Sequence, residues 1–454
     1  MPSTMTPAPP WRWTIAAAAL LVLVAGTAAP GLAAADHDDT AAAPPVPRLS
    51  VPDRLGPPQW GAWEVRHRPV AAAPAIFTAE NWWYEPPSLG SVAVVAAGTD
   101  DYRLLASGWP ARAGEDALLS PDGRTVALPN HLVETHTGRT RSLPSVDGTG
   151  DSMPAAWSPD GDLLALVGID GGYAAQQDGV ETYTVRRAVL AVSEVASGRL
   201  TTVADLRPDA LAFGWLAAFA PDGRTLAYQA GDSVVVATVD GRTLHRFPVP
   251  PGTRLAGKGA WIPDGTGLTL VDQRRCCTGD AYAARWQLRV VSPNSGRDLP
   301  HAVLPEQAGL VALRLLGWAP DGAAVVARYR PEPGITVAGF DAPDGITNGA
   351  WTATDTDVVA LDRQGAARTV LVGVDQAVHG IDVADQAIGS GLTHSGHLPP
   401  RGVGPRYRRY AVVAGTAGVL LVAGLAVGFT RRSRRRTATH STAPAGSDTG
   451  PDPR

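Results

Sequence analysis

The side chains that could do chemistry in this chain are few and scattered. Cys276-Cys277 is its only cysteine pair. Outside the cytoplasm such thiols oxidise, and adjacent cysteines either close a strained small ring or bridge two chains. A strained, exposed disulfide is easily reduced and would act as a switch; the plainer reading of a possible vicinal disulfide here is a kink that stiffens a long loop. His394-Ser-Gly-His397 holds two imidazoles with no cysteine or carboxylate cluster beside them, so solvated loop histidines are expected rather than a metal site. Asp36-His-Asp-Asp39 reads as a solvated acidic stretch. Gly150-Asp-Ser152 resembles a lipase-type start, but Met153-Pro154 follows and no Gly-x-Ser-x-Gly elbow occurs in the chain. These patterns assign no catalytic residue, no metal and no cofactor.

Recognition chemistry is richer in three stretches. Residues 168–186 carry Asp170, Tyr173, Gln176, Gln177, Asp178 and Glu181. Residues 272–286 carry Arg274, Arg275, Asp280, Tyr282 and Trp286 beside the cysteine pair, and residues 330–356 carry Glu332, Asp341, Asp344, Asn348, Trp351 and Asp355. Tyr, Trp and Arg are the usual anchors of protein interfaces, and short polar side chains satisfy their rims. The binding set drawn from these stretches is Asp170, Tyr173, Asp178, Arg274, Arg275, Tyr282, Trp286, Asp344, Asn348 and Trp351. Trp82-Trp83-Tyr84 is a further exposed-contact candidate. The same carboxylates allow an alternative, a lyase or hydrolase acting on extracellular glycan or peptide. That would require at least two titratable groups to converge on one concave point.

The elements that must carry these stretches announce themselves by repetition. Leu119-Ser-Pro-Asp-Gly123, Trp157-Ser-Pro-Asp-Gly161, Phe219-Ala-Pro-Asp-Gly223, Trp261-Ile-Pro-Asp-Gly265 and Trp318-Ala-Pro-Asp-Gly322 are five copies of one phrase. Proline presets φ at the second turn position, Asp tolerates the third, and Gly takes the left-handed fourth, giving a tight hairpin with a glycine bulge. Asp122, Asp160, Asp222, Asp264 and Asp321 are therefore structural. An apolar strand-like run follows each copy. A fainter turn comes next: Thr137-Gly-Arg139, Ser197-Gly-Arg199, Asp240-Gly-Arg242, Ser295-Gly-Arg297 and Arg363-Gln-Gly365. Two hairpins make four antiparallel strands, the blade of a β-propeller. Trp157, Trp261 and Trp318 are expected to pack between blades rather than to form a sugar platform.

The phrase [Trp/Phe/Leu]-x-Pro-Asp-Gly followed by apolar alternation resembles the TolB-like, WD-repeat-like propeller family over roughly residues 75–390. That resemblance implies an all-β propeller, and little about activity, because the family includes binding modules, partner platforms and appendages of hydrolases. Five blades are explicit. Residues 88–107 supply the outer half of a sixth, closed by Val378 to Ile388; seven blades remain the alternative if residues 59–84 add strands.

In a four-stranded meander the first and third connections share one rim, and the second connection lies on the other. The turn Asp and the second-turn Gly are 16, 38, 19, 32 and 44 residues apart in the five copies. The excess in three blades belongs to the middle connection, so residues 168–186, 272–286 and 330–356 are expected on one rim, opposite the Pro-Asp-Gly turns.

The termini complete the organisation. Arg12 followed by apolar Ile15 to Ala29, Pro30 and small residues at 33–35 reads as a signal peptide over 1–35. Residues 36–58 read as an Ala/Pro-rich linker, 59–400 as the propeller ectodomain and 401–410 as a basic juxtamembrane collar. Residues 411–429 carry no charge and read as a transmembrane helix, since at 1.5 Å each they span about 28 Å. Residues 430–454 open with Arg431, Arg432, Arg434, Arg435 and Arg436 and read as a cytoplasmic tail. The expected location is the cell membrane, single-pass, with the large domain outside. The whole chain carries −4; with +1 set aside for residues 1–35 and +4 for 411–454, the exported part carries −9. An acidic domain without a basic stripe is a poor nucleic-acid binder, which leaves a protein or cell-wall partner and the lipid bilayer. Leu398-Pro-Pro-Arg-Gly402 departs from a sortase signal at Arg401, so wall attachment is not expected. Lys258 is the only lysine, and with abundant Ala this matches the codon bias of a high-GC bacterium such as an actinomycete.

Overall fold

The structure, a computed structural model, describes residues 48–59, 61–79, 91–105, 111–175, 181–275, 284–331, 353–364, 366–375, 378–400 and 404–439. Residues Ala43–Val403 form one compact unit. It contains six blades, each with its four main strands in meander order. Blade 2 runs through Leu118–Leu119, Thr125–Leu128, His131–Glu134 and Thr140–Ser142, and blade 3 through Asp151–Trp157, Leu163–Ala175, Glu181–Glu194 and Leu200–Leu206. Blade 4 comprises Ala217–Phe219, Thr225–Ala230, Ser233–Thr238 and Thr243–Pro248. Blade 5 comprises Thr253–Leu255, Leu268–Arg275, Ala284–Val291 and Asp298–Val303, with Gln307–Ala308 added to its third strand. Blade 6 comprises Ala312–Trp318, Ala324–Pro331, Ala353–Leu361 and Ala367–Gly373.

Blade 1 closes the ring. Its innermost strand, Gly380–Val383, comes from the end of the domain and pairs antiparallel with Ala75–Ala79; Ser91–Val95 and Tyr102–Leu104 complete it. Closure removes the open edges that a free blade would expose. Six blades, not seven, result, because Ala75–Ala79 is spent in this shared sheet. The inner strand is shorter than Val378 to Ile388: a left-handed Gly391 caps the helix α1 (Asp385–Ser390) that follows it.

The repeated phrase folds as its chemistry dictates. Gly123, Gly161, Gly223, Gly265 and Gly322 all have φ between 65° and 79°. Each donates its N–H at 2.9 Å to the carbonyl three residues back. Each turn carboxylate then accepts the N–H two residues on, at 2.8 to 3.1 Å, as Asx side chains do. The tryptophans before the turns bind blade to blade. Trp157 Nε1 donates to Leu118 O, Trp261 to Ala218 O and Trp318 to Gly259 O, in each case an inner segment of the preceding blade.

Residues 48–55 are not linker. Leu49, Val51 and Leu55 are buried, Val51–Pro52 pairs in parallel with Thr393–His394, and Arg54–Leu55 adds a parallel fifth strand to the outer edge of blade 6. Apolar alternation at Leu49, Val51 and Leu55 gives this strap a face to bury.

The longest helix among the described residues, α2 (Pro405–Thr439), belongs to the other unit. Its Leu421, Val422, Leu425 and Phe429 are exposed. Among the described residues, no helix is long and apolar enough to cross a membrane.

Candidate functional site

Among the described residues three hairpins are elongated, and all three are middle connections of their blades. In blade 3 the pairing runs from Leu163↔Glu194 to Ala175↔Glu181, with a bulge at Asp170/Gly171. The inner strand stops pairing at Ile169, so residues 170–175 continue six residues beyond it, about 20 Å. In blade 5 the ladder continues to Arg275↔Ala284, past the Thr253↔Asp272 pair where the inner strand starts. In blade 6 it continues to Pro331↔Ala353, past Ala312↔Tyr329. Blade 4, by contrast, turns at Ala230↔Ser233. The meander places all three extensions on the rim opposite the five Pro-Asp-Gly turns.

The sequence-derived binding residues divide accordingly. Asp170 lies on the blade 3 hairpin, where Arg186 Nη2 donates to it at 2.7 Å. Tyr173 stands in register with Tyr183, Arg274 with Arg285, and Arg275 with Ala284. Asp178, Cys276, Cys277, Tyr282, Asp344, Asn348 and Trp351 lie outside the described residues, as does Trp82-Trp83-Tyr84. Trp286 is a correction. It is 1 % exposed, and its Nε1 donates to Leu310 O at 2.8 Å. Strand alternation turns this indole inward, against the segment leading into blade 6. It is a core residue, not a contact residue.

Ion pairs stiffen the hairpin bases. Arg328 holds Asp357 with two bonds, Nε to Oδ1 at 2.8 Å and Nη2 to Oδ2 at 2.7 Å, and Arg330 adds a third to Asp357 Oδ2 at 2.5 Å. Bidentate pairs of this kind impose geometry as well as attraction. Partial burial raises the Asp355 carboxyl above its usual range. In blade 5, Arg289 bridges Asp272 at 2.8 Å and Asp298 at 2.7 Å.

The axis of the propeller holds a cluster that sequence reasoning missed. Arg314, on the inner strand of blade 6, is fully buried. Its guanidinium donates to Gly114 O of the segment entering blade 2, to Ile381 O at 2.6 Å, and to Asp382 Oδ1 at 3.1 Å, the last two in blade 1. Asp382 Oδ2 accepts the Leu119 N–H at 2.9 Å. Lys258 Nζ, from blade 5, lies 3.2 Å from Asp382 and 2.8 Å from Asp385, and donates to Val383 O at 2.5 Å. Burial works to push the Lys258 ammonium down, but the two carboxylates more than offset it and hold it above the ordinary lysine value. Burial pushes the neighbouring Tyr329 phenol up to about 12 and the Asp116 carboxyl up to about 7.

Two glycines make this possible. A Cβ on Gly114 (φ 90°) would sit 2.4 Å from Ile381 O, and one on Gly214 (φ 86°) would sit 2.7 Å from Gly114 O. Backbone from blades 2 and 4 thus closes on the guanidinium. Trp215, next to Gly214, donates its Nε1 to Leu313 O at 2.9 Å and packs on Tyr329 with centroids 6.0 Å apart. The one signal in the sequence was Arg314 itself, a lone charge inside the apolar run Leu310 to Leu316. Chemically the axis is a set of mutually neutralised charges, with Arg314 and Asp382 fully buried and Lys258 and Asp385 reaching towards solvent. Among the described residues, no group of three or more His, Cys, Asp or Glu is placed to hold a metal ion.

No family model matches this chain, and no curated protein matches it. Among solved structures it is similar to an oligogalacturonate lyase from Vibrio parahaemolyticus, at 13 % identity over 71 % of this chain and 78 % of that one, with TM-score 0.36. It is similar to a periplasmic gluconolactonase from Pseudomonas aeruginosa, at 15 % identity over 67 % of this chain and 96 % of that one, with TM-score 0.34. A putative TolB from Agrobacterium tumefaciens shares 17 % identity over 52 % of this chain and 78 % of that one, with TM-score 0.29. At these scores no site or activity transfers, and the six-bladed propeller rests on the strand topology described above.

Proposed function

We propose that this chain is a membrane-anchored, extracytoplasmic β-propeller scaffold that binds a protein or cell-envelope partner through the three long hairpins on one rim. The observation that carries the reading is the co-location of those hairpins. Blades 3, 5 and 6 each lengthen the same connection, and their strands stay paired as they extend. Paired strands are rigid, and rigid protrusions lose less entropy on binding than loose loops do. Loops and hairpins on a fixed scaffold are where recognition concentrates.

Attachment to the membrane is part of the same proposal. It is supported by the uncharged run 411–429 inside α2, by the exposed Leu421, Val422, Leu425 and Phe429 on that helix, and by the arginines that flank it. The enzyme alternative is less favoured, because the axial carboxylate Asp382 is fully buried and tied to Arg314 and Lys258.

The test is a trimmed full-length protein. Two-residue turns placed after the Ile169↔Ala188, Gln273↔Trp286 and Tyr329↔Thr356 pairs remove the extensions and keep every pairing with the inner strands, along with the buried Trp286 and Tyr329. Crosslinking in intact cells should capture partners with the full chain and lose them after trimming. An unchanged partner set defeats the reading.

A further inference from the structure

The two ends of the propeller sequence meet at one polar constellation. Val51 N–H donates to Leu392 O at 2.9 Å and Asp53 N–H to His394 O at 2.8 Å, locking the entering and leaving segments side by side. There Ser50 Oγ lies 2.8 Å from His394 Nδ1. On the other side of the ring, His394 Nε2 lies 2.9 and 3.0 Å from the two oxygens of Asp100. His394 is therefore not the solvated loop histidine its sequence suggests. Asp100 is buried, stands at φ 55° in the turn between the outer strands of blade 1, and its Oδ2 also accepts the His397 N–H at 2.9 Å. A non-glycine residue held in the left-handed region marks a place where surrounding structure dictates the conformation.

The hydrogen-bond roles follow from the chemistry of the partners. A carboxylate only accepts, so the Nε2 proton faces Asp100 and the Nδ1 lone pair faces the Ser50 hydroxyl. That is a base aimed at a nucleophile and oriented by a third group. The ring nitrogens are exchanged relative to the usual serine-protease arrangement, while the roles are preserved. Ser50 is partly exposed, and the His394 side chain is 31 % exposed, so both are within reach of solvent.

We propose that Ser50 is an activated nucleophile that accepts acyl groups from esters, with His394 as its base and Asp100 as the positioning residue. Ser50 Oγ bonds to the ester carbonyl carbon while its proton passes to His394 Nδ1. The carbon–oxygen bond to the alkoxy group breaks, and that oxygen leaves with the proton as an alcohol. Water then adds to the acyl carbon, giving a proton to Nδ1. The bond to Ser50 Oγ breaks, Oγ takes that proton back, and the acid departs. The sum is ester plus water to acid plus alcohol.

A fluorophosphonate probe with peptide mapping, applied to the full-length protein, tests this directly, with p-nitrophenyl acetate hydrolysis as a second readout. Ser50 should be labelled, and Ser50→Ala should abolish both signals. His394→Ala should slow labelling about 100-fold or more, the usual worth of a positioned base. His394→Gln, which keeps a hydrogen-bonding side chain in the clasp, should be equally slow. Asp100→Asn is the deciding variant. Its amide would donate to Nε2 and move the ring proton to Nδ1, so a catalytic role predicts a loss of similar size with the thermal midpoint retained. A purely structural clasp would instead leave Ser50 unlabelled in the unmodified protein, or labelled at the same rate in the His394 and Asp100 variants. Either result overturns the proposal.

Discussion

Arg314→Met is the substitution that most directly tests how the ring is held at its axis. Methionine keeps much of the side-chain length and removes the charge and every donor. The guanidinium links three blades: it sits on blade 6 and donates to Gly114 O entering blade 2 and to Ile381 O and Asp382 in blade 1, all without solvent. Bonds from a charged donor contribute about 1.5–3 kcal/mol each, but partners within one network do not add independently. Removing one member of a buried ion pair costs about 3–5 kcal/mol, because the other charge is left behind. Here Asp382 keeps Lys258 at 3.2 Å and the Leu119 N–H at 2.9 Å, which places the loss near the lower end, about 3–4 kcal/mol. With a urea slope of about 3 kcal/mol/M, the midpoint should fall by about 1 M in equilibrium unfolding followed by tryptophan fluorescence. Trp215, packed on Tyr329 beside the cluster, makes that probe local as well as global. A midpoint lowered by less than about 0.3 M would show that the axial arginine is not a structural hub. Arg199→Met, which removes an exposed pair with Glu194, is the control and should leave the midpoint where it is.

Two further outcomes follow from burial. The Asp116 carboxyl is held at about 7 against an ordinary 3.8, so the folded state binds its proton more tightly than the unfolded chain does. Its contribution is present below about 3.8 and lost as pH rises through about 7. Stability should decline across that window by up to ~4 kcal/mol, and Asp116→Asn should remove the decline, as urea midpoints measured at several pH values would report. For Trp286, replacement by Ala should cost about 3–5 kcal/mol and replacement by Phe little more than the lost Nε1 bond, about 1 kcal/mol. If Trp286→Ala instead left thermal stability unchanged and removed only partner capture, the indole would belong to the rim after all.

The blade pattern was readable because its information is local. Proline, Asp and Gly in succession dictate a turn without reference to any other part of the chain, and five such turns at near-blade spacing dictate strands between them. The rim assignment was readable too, since it depends only on counting connections in a meander. Trp286 was misread because its role depends on which face of the strand is covered, and a lone aromatic in a long connection looks the same whether it points inward or outward. His394 was misread for a related reason: Asp100 lies 294 residues away and Ser50 lies 344 away, and only ring closure brings them within bonding distance.

Local turn chemistry and strand periodicity, carried by the amino acids alone, determined that this chain builds repeated four-stranded sheets, and that three of their connections are long. The tertiary structure decided how many sheets close the ring, that the strap at 48–55 completes the last of them, and that Arg314, Lys258 and Asp382 meet at the axis. The division has a physical cause. Turns and strands are set by interactions a few residues apart, whereas a buried charge becomes stable only after distant backbone carbonyls and carboxylates have converged to replace the water it loses.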